Sequence, residues 1–395
     1  MRRSFVFGII ISMSVLPQSQ RVLFFEAIAV IVGTIVGAGL FAIPYAVAQV
    51  GFGIGIAYLL GMGLIVLALH VLLGEIVART KTSLQLSGLA GRYLGTTGKA
   101  LMGAAVFLGG YGALLAYLIG TGEALTAIFG GERAAWSAAF FAVGAFFLYR
   151  GLKTVKVIEL FMTSAIFLLV ITLVIWAAPD ITVAHLAAPV DWRYIFLPYG
   201  VLLFAYYGVS ALPVAEAVLR GDARLFRRAV IIASTIPVVL YTLFAAVTVG
   251  VTGDATTPIA TVGLGEALGP LVGVVSNLFA FFAMATSFLA IGTALRETYE
   301  WDFRWNPRLG WAATVAVPLA LFAFGVRDFI QVVGVTGTLA GSIEAILIVL
   351  IYWKVQREAD YGPRRFHVRY APLASAVLLA VFGLAAAYSL WEFFV

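Results

Sequence analysis

Residues 39–46 read GLFAIPYA and residues 208–215 read GVSALPVA. The two stretches share Gly, Ala, Pro and Ala at the same four positions, 169 residues apart, and each lies inside a long apolar run. A proline within a helix removes a backbone donor and crowds the preceding turn. Glycines crowd the same places: Gly33, Gly37 and Gly39 at the first copy, Gly208 at the second. Two matched breaks in two apolar segments imply a duplicated architecture in which unwound backbone serves a purpose.

The chain has 395 residues, 63% hydrophobic and only 11% charged, against roughly 25% charged in an ordinary globular domain. Apolar runs of about 20 residues recur along it, each long enough to cross roughly 30 Å of hydrocarbon as a helix. Runs such as 100–122 contain no charged residue and show no period of two, which excludes a strand barrel. The expected class is an all-α polytopic membrane protein. There is no cysteine, so the sequence holds no disulfide and no thiol chemistry.

Spans are expected at 22–48, 52–78, 99–128, 135–150, 155–178, 195–219, 229–251, 269–295, 309–325, 329–353 and 371–393, eleven in all. With the N-terminus cytoplasmic, 22 of the 25 Lys and Arg fall in segments on the inner side, leaving Arg133, Arg193 and Arg327 outside. That asymmetry is the positive-inside pattern. The net charge of +6 therefore reports topology, and no nucleic-acid partner is implied. Residues 1–21 form an inner N-terminal segment: reading Arg2, Arg3 and Phe5–Val15 as a cleaved signal would invert the charge distribution just counted.

The repeated motif divides the chain into halves at 22–178 and 195–353, with 371–393 as an added C-terminal span on an odd count, so that the C-terminus lies outside. The first span runs inside to outside and the sixth the reverse, which makes the repeat inverted. In lipid an unpaired N–H or C=O costs several kcal/mol, so broken helices belong where protein or a ligand satisfies them. One break exposes N–H groups and the other carbonyls. A zwitterion with one carboxylate and one ammonium fits that pair of helix ends. The GxxxG of Gly33 and Gly37 taken alone reads as close helix packing.

The stretches GTIVGAGLFAIPYAVAQVG (33–51), LLFAYYGVSALPVAEAVLRGD (202–222) and MATSFLAIGTALRETY (284–299) resemble the first, sixth and eighth helices of amino acid permeases. The superfamily is that of amino acid, polyamine and organocation transporters, with the LeuT-type fold of a 5+5 inverted repeat and broken helices 1 and 6. The span count and the TSFL stretch look most like the aromatic and hydroxy amino acid permease branch, the tyrosine- and tryptophan-specific relatives. The resemblance implies that N–H groups of Gly37, Ala38 and Gly39 bind the substrate carboxylate and that carbonyls of Ile35, Phe204 and Tyr206 receive its ammonium. It implies side-chain walls from Phe204, Tyr207, Tyr111 and Tyr117. It also implies a cation site made of carbonyls of Gly33, Val36 and Ala283 with the Thr286 and Ser287 hydroxyls.

Ionisable residues within spans are costly and are functional candidates by default. Glu344 in span 10 has no cation within a turn on its own helix, and Glu123 lies in the outer part of span 3; both are candidate proton carriers. Glu75 sits four residues before Arg79, the spacing of a helix-face ion pair. The three histidines, His70, His185 and His367, lie far apart without metal-ligand spacing, and His70 is expected to be a core residue. No nucleophile–base pair and no phosphate-cradling loop is visible. The expectation is a transporter and no enzyme: cation-coupled symport of neutral, large apolar or aromatic amino acids by alternating access. It needs no cofactor beyond a coupling ion, sodium or proton, and no obligatory protein partner besides the bilayer. An amino acid sensor or channel-like protein of the same fold is the alternative.

Overall fold

The computed structural model describes residues 18–80, 84–150, 168, 170–219, 222–357 and 371–394. Among these there are helices and no strand. The expected inner segment 1–21 lies almost wholly outside the described residues, as does the first half of the expected fifth span. In chain order the helices are α1 (Gln18–Ile35), α2 (Gly39–Val50), α3 (Phe52–Arg79), α4 (Leu86–Phe129), α5 (Arg133–Arg150) and α6 (Val170–Asp180). The second part holds α7 (Leu197–Ala205), α8 (Ala211–Val218), α9 (Ala223–Thr252), α10 (Ala260–Leu268) and α11 (Pro270–Glu297). There follow α12 (Pro307–Ala323), α13 (Phe329–Thr336), α14 (Ser342–Arg357) and α15 (Ala371–Phe394). Among the described residues six helical segments are long and apolar enough to cross a membrane, seven when α1 and α2 count as one bent span.

Both sequence breaks are breaks in the structure. The axes of α1 and α2 differ by 53°, with Gly37 and Ala38 outside either helix. Residues 206–210 part α7 from α8. The two prolines differ in consequence. Pro44 is interior to α2, where it deprives a carbonyl one turn back of its donor. Pro213 is the third residue of α8, and N–H groups in a helix's first turn have no partner within it anyway. Proline there fits the helix start and costs no hydrogen bond, which departs from its expected role as a second donor loss.

Other boundaries shift for identifiable reasons. α4 begins at Leu86, thirteen residues before the expected span, and continues across a kink at Gly95, where φ is +74°. α9 begins at Ala223 because the Asp222 carboxylate accepts from the N–H groups of Arg224 and Leu225, each at 3.1 Å, an N-cap. The tenth segment is interrupted by a π-helical turn, Gly337–Gly341, between α13 and α14, and a second, Thr298–Asp302, follows α11. α10 occupies a stretch read as a loop.

Two groups of helices emerge from the packing. α4 lies along α11 and also carries α5, α13 and α14; α9 lies along α3 and α1, and α7 packs on α2 and α13. Glu75 on α3 accepts from Arg79 at 3.5 Å, from the Tyr352 hydroxyl at 3.2 Å and from the Gln356 amide at 2.7 Å. A buried carboxylate is tolerable only with such partners, so this residue ties α3 to α14. His70 is a core residue as expected, buried and within 2.9 Å of the Ser234 hydroxyl through Nδ1.

Candidate substrate site

The local backbone at the first break leaves donors open. Leu40 donates to Gly37 O at 3.2 Å and Phe41 to Ala38 O at 3.0 Å, so the chain re-enters α2 through two short turns. Among the described residues no backbone carbonyl accepts from the N–H of Gly37, Ala38 or Gly39. These groups begin α2, where the helix dipole adds to their pull on an anion. At the second break Tyr206 and Tyr207 close the last turn of α7 by donating to Leu202 O at 2.9 Å and Phe204 O at 3.2 Å.

Close backbone approach explains the glycines. A Cβ on Gly39 would overlap the Ala205 Cα of α7, so the two breaks touch there. A Cβ on Gly37 would stand 3.1 Å from both the Ser287 and Tyr117 hydroxyl oxygens. Helices α1, α4 and α11 thus meet at one glycine. Sequence reasoning missed the residue that ties the breaks together. The buried Tyr241 of α9 places its hydroxyl 3.0 Å from Ile35 O and 3.0 Å from Ala205 O, the last residues of α1 and α7. One proton serves two helix ends. No motif marked it, since a tyrosine in an apolar span reads as ordinary core.

A cavity of about 110 Å³ opens at this point. Ile35, Gly37, Ala38, Gly39, Tyr117, Phe204, Tyr207 and Glu344, all singled out from the sequence, line it. Gly109, Gly110, Ala113, Thr336 and the π turn at Gly337 and Ala340 also line it, with Ser87 and Thr298 at the end near the loops that follow α3 and α11. The small residues on α4 could not be found from the sequence, because glycine and alanine are common throughout a membrane chain.

Other candidates fall elsewhere. The Tyr111 hydroxyl meets that of Tyr299, in a stack in which the Phe107 and Tyr299 rings lie 4.4 Å apart. Tyr117, and not Tyr111, is therefore the tyrosine of α4 at the cavity. The Tyr206 hydroxyl turns away to donate to Leu59 O of α3 at 3.2 Å. Ile35 O, expected to receive an ammonium, already accepts from Tyr241 and keeps one lone pair. Within the expected cation set, the Thr286 hydroxyl bonds back to Phe282 O at 3.1 Å and Ala283 O at 3.0 Å. Ser287 and Val36 are buried near the break, while Gly33 is half-buried. Glu123 is paired with Arg133 at 3.0 Å, bridging the ends of α4 and α5 away from the cavity.

Among the described residues no group of three His, Cys, Asp or Glu side chains could hold a metal ion. Three polar groups of the cavity are spent, Thr34 and Thr298 on carbonyls of their own helices and Ser87 on Asp302, while the Tyr207 hydroxyl and Glu344 Oε2 have no partner among the described residues. What remains suits a small zwitterion with an apolar body.

Comparison with known proteins agrees. The chain is 27% identical over 356 residues to tyrosine-specific transport system 1 of Haemophilus influenzae, covering 83% of this chain and 87% of that protein. It is 25% identical over 383 residues to glutamine transporter 2 of Aliivibrio fischeri, covering 91% and 97%. Its fold resembles the crystal structure of MhsT in complex with L-phenylalanine, with a TM-score of 0.68 at 14% identity, covering 91% and 98%. That fold is of the LeuT type. The model of the tryptophan/tyrosine permease family matches residues 20–388, and the chain belongs to this family of amino acid permeases.

Proposed function

We propose that the protein carries neutral amino acids with large side chains across the membrane by alternating access, coupled to a cation. The observation that carries this reading is the cavity onto which both helix breaks open, with unpaired N–H groups of Gly37–Gly39 on one side and the end of α7 on the other. Carboxylate binds at Gly37–Gly39, and the ammonium lies against the carbonyls of Phe204 and Tyr206, with Ile35 O shared with Tyr241. Phe204, Tyr207 and Tyr117 face the side chain. Tyrosine and glutamine, named for two relatives, are both neutral with a hydrogen-bonding tip.

The architecture we propose is eleven spans: a five-helix half at 22–178, an inverted five-helix half at 195–353 and the added helix 371–393. The N-terminus is cytoplasmic and the C-terminus outside, as the loop charges require, in the cytoplasmic membrane of a prokaryote. The contact of α2 with α7, and of α7 with the π turn at Gly337, closes the outer side. The cavity's other end reaches Ser87 and Thr298 near the loops that follow α3 and α11, so this arrangement faces inward. Transport then swings α1, α2, α3, α7, α8 and α9 against α4, α5, α11 and α12.

The test is counterflow in liposomes preloaded with unlabelled amino acid, after a thermal-shift screen has identified ligands of the folded protein. Exchange of labelled for unlabelled tyrosine or phenylalanine is expected. Ligand binding without exchange would instead mark a sensor.

A further inference from the structure

Glu344 has no role in the site as built so far, yet it lines the same cavity as the break. It is 1% exposed, and its Oε2 meets no hydrogen-bond partner among the described residues. It enters no ion pair among them. An unsatisfied buried polar atom costs about 1–3 kcal/mol, so such an atom is retained where something else supplies its partner. The Tyr207 hydroxyl, also on the cavity wall, is likewise buried without a partner.

Helix α4 serves as a ruler between the two ends. A Cβ at Gly109 would lie 3.6 Å from Glu344 Oε1, and the Tyr117 hydroxyl adjoins Gly37. Eight residues of helix separate Gly109 from Tyr117, about 12 Å along the axis, and because a long helical side chain leans towards the N-terminus the two ends stand no farther apart than that. A tyrosine or glutamine held by its carboxylate at Gly37–Gly39 reaches that far when extended, with a hydrogen bond of about 2.8 Å at each end. Between the ends the wall is Gly110, Ala113, Ile291 and Leu295, with the Thr336 hydroxyl beside Gly112 as a neutral polar group and no charged side chain.

Resting on the transporter reading above, we propose that the Glu344 carboxyl is a specificity-determining residue that binds the polar tip of the substrate's side chain, a phenol or a carboxamide. A carboxyl accepts when ionised and both donates and accepts when protonated. A phenol or carboxamide meets either form; a phenyl or alkyl tip meets neither. A site built around a hydrogen bond rejects the analogue lacking it far more strongly than an apolar pocket rejects one methylene.

The experiment measures binding of L-tyrosine, L-phenylalanine, L-glutamine and L-norleucine to the purified full chain, as wild type and as Glu344→Gln, Glu344→Ala and Glu344→Asp. Wild type is expected to prefer tyrosine over phenylalanine, and glutamine over norleucine, by at least about tenfold. In Glu344→Ala both ratios collapse towards one, and Glu344→Asp restores part of each. Phenylalanine binding by the variants reports that they are folded. Ratios that survive Glu344→Ala overturn the proposal and leave the transporter reading standing. Loss of pH-driven uptake for all four amino acids with intact ratios also overturns it, and assigns Glu344 to proton movement. Failure of wild type to bind any of the four would sink the transporter reading itself.

Discussion

The sharpest constraints lie at single residues where backbone meets backbone. A side chain on Gly39 would overlap Ala205 Cα, and the obstacle is main chain, which cannot rotate away. Gly39→Val should abolish substrate-induced thermal stabilisation while leaving a monodisperse, membrane-inserted protein; stabilisation at wild-type ligand concentration would show that the break is not the site. Gly37→Ala meets only hydroxyl groups, at 3.1 Å, and should weaken affinity by about tenfold, within the roughly 1–3 kcal/mol of overpacking. Tyr241→Phe removes the one proton shared by Ile35 O and Ala205 O. Leaving buried carbonyls short of a donor costs about 1–3 kcal/mol, so the variant should melt earlier and bind substrate more weakly, both read in one thermal-shift titration. An unchanged melting temperature would mean that the carbonyls find other donors. Gly39 was legible in the sequence because the Gly, Ala, Pro, Ala frame that it opens repeats from Gly208. Tyr241 was not, because its importance comes from two helix ends that only folding brings together.

At the scale of elements, the fold's punctuation was read well where glycine and proline coincide and poorly where distortion needs no special residue. The α1–α2 and α7–α8 breaks carry both. The π turn at Gly337–Gly341 does not: GTLAG reads as ordinary helix, and the turn inserts one residue without proline. Its purpose is contact. A Cβ on Gly337 would overlap the Gly200 carbonyl of α7, and a Cβ on Gly200 the Gly334 carbonyl, so α7 and the tenth segment pack main chain to main chain. Gly337→Ala should keep α7 from closing and populate the outward-open form. Because the chain has no cysteine, a single Tyr45→Cys on α2, whose residue lines a large groove beside α7 and α13, can report it. Labelling by an impermeant thiol reagent should speed several-fold in the Gly337→Ala background. Equal rates would mean that the contact is not a gate.

At the scale of the whole molecule the proposed coupling to a cation has two candidate carriers, a hydroxyl and carbonyl site and a buried carboxyl. A sodium site at the contact of the first and eighth segments needs the Thr286 and Ser287 hydroxyl oxygens to face one point together with the carbonyl oxygens of Gly33, Val36 and Ala283. Ser287 stands at Gly37, whereas the Thr286 hydroxyl is held by Phe282 O and Ala283 O of its own helix. That back-bonding is the ordinary habit of a helical threonine. The helix carbonyls take only the single hydroxyl proton, so both lone pairs of Thr286 Oγ1 stay available to a cation and the back-bonding is compatible with coordination. Proton coupling asks instead for a buried carboxyl in the path; Glu344 lines the cavity, and Glu123 is paired with Arg133 outside it. The Thr286→Val exchange separates the cases, since it is nearly isosteric and removes only the hydroxyl. In proteoliposomes with a sodium gradient at equal pH, sodium coupling predicts concentrative uptake in wild type and at least about tenfold less in Thr286→Val, since a coordinating oxygen is worth more than an ordinary hydrogen bond of about 1 kcal/mol. Concentrative uptake under a pH gradient without sodium, indifferent to Thr286→Val, would instead leave the threonine as a helix-bonded wall residue and place coupling on a carboxyl of the cavity.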